Sequence, residues 1–200
     1  MKHLAIAMAL LCIVAFIACN SNNETSKDVT APKDVTAATP GKEDLVKRGE
    51  YLVKITGCND CHSPKKPGPH GPELISELLL SGHAQNSPAP KGDKALSAQG
   101  FSIFAPDLTA AAGPWGVTFS ANLTPDSTTG IGSWTEDQFK VALTQGKFKG
   151  QPAGRQLLPP MPWPNYAKMA DEDIKAIFAY LKSIKPVSNT VPLPIAPDKI

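Results

Sequence analysis

The chain has 200 residues, 42% of them apolar, and a formal charge of +2. That length holds one domain of ordinary size with flanking segments, and the near-neutral balance leaves no basic excess of the kind that binds nucleic acid. Twenty prolines argue for few helices separated by long irregular stretches.

Residues 1–18 read as a leader: Lys2 and His3 give a basic start, and residues 4–18 are almost wholly apolar. The run is too short to span a bilayer comfortably but fits a secretory signal peptide. It ends Phe16-Ile17-Ala18-Cys19, which resembles the bacterial lipoprotein box, with Phe16 where leucine is usual. Cys19 is then the lipidated residue and the new N-terminus; the rival reading is a nearby cleavage with Cys19 incidental. Asn20 in place of aspartate, by the same resemblance, implies the outer membrane of a bacterial cell envelope, with the rest of the chain in the periplasm. Acyl chains suffice for such an anchor. Residues 19–43 are polar, carry Pro32 and Pro40, and show no apolar period. They read as a disordered tether giving reach from the membrane.

The folded domain is expected over residues 44–187, with 188–200 as a C-terminal tail. Leu45, Gly49, Leu52, Val53 and Thr56 recur at helical spacing, predicting a helix over 44–56. Gly49 costs such a helix about 1 kcal/mol against alanine, which implies a close-packed partner. Gly57 ends the helix, and Cys58-Asn59-Asp60-Cys61-His62 follows. Two cysteines three positions apart, then histidine, form the attachment pattern of covalent c-type haem. One helical turn puts both thiols on one face for the two vinyl groups, with His62 as proximal iron ligand. A zinc site would need four ligands, and the other cysteines, Cys12 and Cys19, lie in a segment outside the expected folded domain. A thioredoxin-like pair would need a βαβ pattern, which is missing here.

Residues 64–72 are proline-rich and read as a loop, 73–80 as one short helix, and 81–114 as turn chemistry, with a β-hairpin considered near 115–119. Irregular stretches this long are uncommon unless functional. Thr135 and Gln138 make a capping box for a helix over 136–145, with Gly146 as its stop. In Leu158-Pro159-Pro160-Met161-Pro162-Trp163-Pro164, prolines stiffen the backbone around Met161, a candidate second iron ligand. A hydrophobic plug is the competing role for a methionine, and His70, His83 or an open iron site remain alternatives. Ile174, Ile177, Phe178, Leu181 and Ile184 mark a last helix over 171–185, acidic at its start and basic at its end. It is expected to cross the first helix at Gly49. Ala170 stands where a capping Ser or Thr is common, so Asp171 is expected to cap instead.

Residues 44–187 resemble the class I cytochromes c, especially the haem domains in cytochrome subunits of bacterial membrane-bound alcohol and aldehyde dehydrogenases. The matching pieces are Arg48-Gly49-Glu50-Tyr51-Leu52, the Cys58–His62 motif, 121–126, 129–132 with Trp134, Met161-Pro162-Trp163, and 173–181. The resemblance implies a mainly α cytochrome c fold: crossing terminal helices, further helices wrapped around one covalent haem c, and a long loop insert. It implies thioethers at Cys58 and Cys61 and iron held by His62 and Met161. Such a site serves electron transfer, with a dehydrogenase, an oxidase or another cytochrome as partner; a haem enzyme or sensor with an exchangeable distal ligand is the alternative. Those subunits usually carry several haem domains, whereas one CxxCH occurs here. Trp134 and Arg155 are candidate haem-propionate partners, against a packing role and a solvated loop charge respectively. Lys65, Lys66, Lys140, Lys147 and Lys149 are read either as a basic rim for an acidic partner or as scattered surface charges.

Overall fold

The structure, a computed structural model, describes residues 41–200. The leader, the lipidation candidate Cys19 and all but the end of the tether lie outside the described residues. Helix α1 (Lys42–Ile55) carries Glu43 and Asp44 in its first turn and Lys54 in its last, each favourable to the helix dipole. It starts two residues before its expected start at 44, because Gly41 O already accepts from Leu45 N. Helix α1 buries Gly49, Leu52 and Val53. Helix α5 (Asp171–Ser183) buries Ile174, Ala176, Ile177 and Leu181.

These two faces pack together. A Cβ at position 49 would collide with the Ala176 carbonyl oxygen and crowd the Tyr180 Cβ, so glycine alone admits the approach. The helix-propensity cost of Gly49 is thus offset by packing. Arg48 reinforces the contact, with Nε and Nη2 at 2.7 and 2.5 Å from Asp173 Oδ1. Leu80, Ile131 and Phe139 complete the core with Leu52, Val53 and the α5 residues. Helix α5 receives no side-chain cap at Ala170. The cap expected from Asp171 gives way to an ion pair with Lys140, 2.7 Å away.

Helix α2 (Cys58–His62) holds the cysteine–histidine motif. Helix α4 (Glu136–Gln145) forms where the capping box placed it, with both reciprocal bonds between Thr135 and Gln138 present. It stops at Gly146 in the left-handed region, where the Trp163 indole fills the space a Cβ would take.

The insert is more ordered than its sequence suggests. Strands β1 (Lys65–Gly68) and β2 (Gly71–Leu74) form a hairpin in place of the expected loop and the start of the expected helix. Pro67 stands opposite Pro72; a two-stranded ribbon has outer edges, where a missing N–H breaks no ladder. Of the helix expected over 73–80, one 3-10 turn remains at Ser76–Leu78. A short helix α3 (Lys94–Ala98), capped by Asp93, precedes an antiparallel sheet of β3 (Ile103–Phe104), β4 (Ala110–Gly113) and β5 (Gly116–Phe119). The β4–β5 pair is the hairpin considered near 115–119.

Residues 188–200 lie along this sheet. Val117 and Ile195 exchange both backbone bonds at 2.8 and 2.9 Å. Gly116, at φ +96°, leaves room for the Ile195 carbonyl. Asn189 Nδ2 donates to Ser81 O and His83 O at 2.7 and 2.9 Å. Among the described residues, no helix is long and apolar enough to cross a membrane.

Candidate functional site

Only Thr56, which caps the end of α1, and Gly57, at φ +72° and capping the start of α2, separate the two helices. Cys58 and Cys61 are therefore one turn apart on α2, and neither is in a disulfide. Burial pushes both thiols above the ordinary cysteine value, against a smaller lowering by Thr56 at Cys58 and by Lys65 at Cys61. A redox-active CxxC pair works the other way, by lowering a thiol to make thiolate. Among the described residues, no group of three or more His, Cys, Asp or Glu side chains is placed to hold a metal ion.

The His62 ring is oriented by one bond: Nδ1 lies 2.8 Å from Ala121 O. A carbonyl only accepts, so Nδ1 carries the proton and Nε2 keeps a free lone pair, as a metal-binding histidine requires. Burial holds the imidazole below its usual value, against the Ala121 carbonyl. Burial thus favours the neutral imidazole, the form that binds iron.

Backbone packing delivers Ala121 to this position. Segment 80–83 lies against segment 120–123 through His83 N to Ser120 O (2.9 Å) and Leu123 N to Leu80 O (2.8 Å). Gly82, at φ +78°, permits the approach, since a Cβ there would meet Ser120 O at 2.5 Å. Its N–H donates to His62 O at 2.8 Å. The fully buried Ser63 ties the same segment to α2, donating to Asn59 Oδ1 at 2.9 Å and accepting from Leu80 N at 2.8 Å. Sequence reasoning missed Ala121, Gly82 and Ser63. Ala121 acts through a carbonyl that any residue type would supply, the close approach at Gly82 is visible only in the folded chain, and a serine after the motif carries no distinctive signal.

Met161 is half-buried, between the cis Pro159–Pro160 bond and the 3-10 turn Trp163–Tyr166. Its loop is tied on both sides. Thr118 Oγ1 donates to Pro159 O at 2.8 Å, and Tyr166 Oη donates to Thr56 O, two residues before Cys58, at 3.2 Å. His83, an alternative ligand, is buried with Nδ1 at 2.8 Å from Thr109 Oγ1 and Nε2 at 3.3 Å from Ser87 O. Both ring nitrogens are engaged within the insert. His70 is exposed on the β1–β2 turn.

Trp134 is half-buried and packs against the core. Arg155 is exposed, its guanidinium 4.2 Å from the centre of the Phe148 ring and donating to Gln156 O. Of the five lysines considered as a rim, Lys140 is paired with Asp171, Lys149 lies over Phe148, and Lys65 is bound to main-chain carbonyls.

No family model matches the chain. It is 36% identical over 146 residues, 72% of its length, to the gluconate 2-dehydrogenase cytochrome c subunit of Pantoea cypripedii, covering 24% of that protein. It is 30% identical over 152 residues, 76% of its length, to the cytochrome c subunit of the quinone-dependent alcohol dehydrogenase of Gluconobacter oxydans, covering 24% of it. The fructose dehydrogenase cytochrome subunit of Gluconobacter japonicus is 30% identical over 164 residues, 82% of this chain and 25% of that protein. The chain thus spans about a quarter of the length of the curated relatives it matches. With the cysteine–histidine turn, the oriented imidazole and these relatives together, the chain is similar to the cytochrome c subunits of bacterial gluconate, alcohol and fructose dehydrogenases.

Proposed function

We propose that this domain carries one covalent haem c and transfers electrons for a dehydrogenase, an oxidase or another cytochrome. Thioethers at Cys58 and Cys61 would hold the group, with His62 Nε2 and the Met161 sulfur as axial ligands. The observation that carries the reading is the 2.8 Å bond from His62 Nδ1 to Ala121 O, one residue from a thiol pair at the attachment spacing. Bound haem supplies a one-electron couple at its iron. The chain's own part is to hold His62 neutral and oriented, and to restrain the Met161 loop between Thr118 and Thr56. A neutral, soft thioether stabilises ferrous iron and raises the potential. Fixed ligands change little between oxidation states, which suits electron transfer rather than substrate turnover. An exchangeable distal site would want a free acid–base group; His83 is engaged and His70 is solvent-exposed.

Spectra and redox titration of the holoprotein beside Met161→Ala test the assignment. We expect the variant to lose the weak red band that reports sulfur on ferric iron and to show a lowered potential. A variant keeping both would refute Met161 as ligand, and a mature chain whose intact mass lacks one tetrapyrrole would refute covalent haem.

We infer further that Cys19 is acylated and anchors the domain to the bacterial envelope, facing the periplasm, with the outer membrane implied by Asn20. The support is the sequence of the leader alone. Cys19→Ser should release the cytochrome into the soluble periplasmic fraction; retention of the variant in the membrane fraction would refute the anchor.

A further inference from the structure

Lys65 stands three residues beyond His62, at the start of β1. Its ammonium reaches four main-chain oxygens: Asp60 O at 2.7 Å, Asp107 O at 2.9 Å, Ser63 O at 3.0 Å and Asn59 O at 3.3 Å. Three of these carbonyls lie in or directly after α2. They are the acceptors that the end of a helix leaves without intrahelical donors, and they carry the negative end of its dipole. The fourth belongs to the turn between β3 and β4. An ammonium has three protons, so four acceptors within bonding distance use all of them.

This charge is placed unlike an ordinary surface lysine. Its hydrogen bonds go to carbonyls, while the Asp107 carboxylate accepts from Thr109 N and Oγ1 at 2.8–3.0 Å. Burial draws the ammonium below the usual lysine value, and the nearby Asp107 carboxylate is the largest opposing influence. A cation fixed at the histidine end of α2 acts on the residue that would hold iron. Because a positive charge disfavours ferric iron more than ferrous, a cation held there would raise the potential.

We propose that Lys65 is a positioning residue for the haem site: it bolts the insert onto the attachment helix and biases the iron toward the ferrous state. This rests on the haem reading above. A merely structural lysine would affect stability and leave the potential unmoved.

The test is equilibrium redox titration of the full-length holoprotein, comparing wild type with Lys65→Met, Lys65→Gln, Lys65→Arg and Lys66→Met. At fixed ambient potential, we expect the two neutral Lys65 variants to lower the ferrous-to-ferric ratio about threefold to tenfold, tenfold being about 59 mV for one electron. Their red band should persist. Lys65→Arg, which keeps the charge, should stay near wild type, as should Lys66→Met at the exposed neighbour. If Lys65→Met does not accumulate with haem, Lys65→Gln, which keeps a donor, decides. Wild-type ratios in a neutral variant, or a loss in Lys65→Arg as large as in the neutral variants, would overturn the proposal. Haem present by intact mass with an unmoved potential sinks Lys65 alone; a wild-type chain without haem sinks the functional reading itself.

Discussion

Ser63 has no exposed surface, and its hydroxyl serves two chain segments at once. Ser63→Ala leaves Leu80 N–H without its acceptor and Asn59 Oδ1 without its donor, in a site that water cannot readily repair. We expect a loss of about 1–3 kcal/mol, read by denaturant unfolding of the holoprotein with the haem absorbance as probe. The residues proposed to hold the haem were legible because that chemistry would dictate their spacing: Cys58, Cys61 and His62 share one short helix. Ala121 was not legible, because its carbonyl oxygen is shared by every residue type and its address depends on Gly82 bringing two distant segments together. Met161 lies between these cases. Its prolines announced a stiff loop, while the ties from Thr118 and Tyr166 come from tertiary structure.

At the scale of elements, the α1–α5 contact was readable from one misplaced residue. A glycine within a good amphipathic helix signals that something presses on it, and Ala176 does. Gly49→Ala would drive a methyl group into backbone that cannot rotate away. We expect destabilisation of about 3 kcal/mol from overpacking, seen as a lower unfolding midpoint, although alanine is the better helix former. A midpoint at or above wild type would contradict the close approach. Helices α1, α4 and α5 followed their apolar periods, and α4 its capping box as well. The insert did not, for reasons specific to its strands. Residues Ala110, Ala111 and Ala112 of β4 are all buried, so no alternation marks the strand. Strand β3 has two residues, and prolines sit in both strands of the first hairpin. Signals built on period two have nothing to act on there.

On the scale of the whole molecule, the insert braces both sides of the candidate site. Lys65 joins α2 to Asp107, while Thr118 on β5 holds Pro159, two residues from Met161. Thr118→Val keeps the shape and deletes the second tie. We expect an added strong iron ligand, such as cyanide, to displace the native one up to about tenfold faster, the effect of one lost hydrogen bond on the barrier; an unchanged displacement rate would mean that the loop holds itself. The pairing of α1 with α5 also sets a schedule for biogenesis. The first helix of the domain finds its complement far along the chain, so a nascent chain cannot seal its interior until Ala176 has emerged. The two thiols at 58 and 61 emerge long before that, and under the proposed haem attachment this leaves an interval for ligation on an unfinished fold.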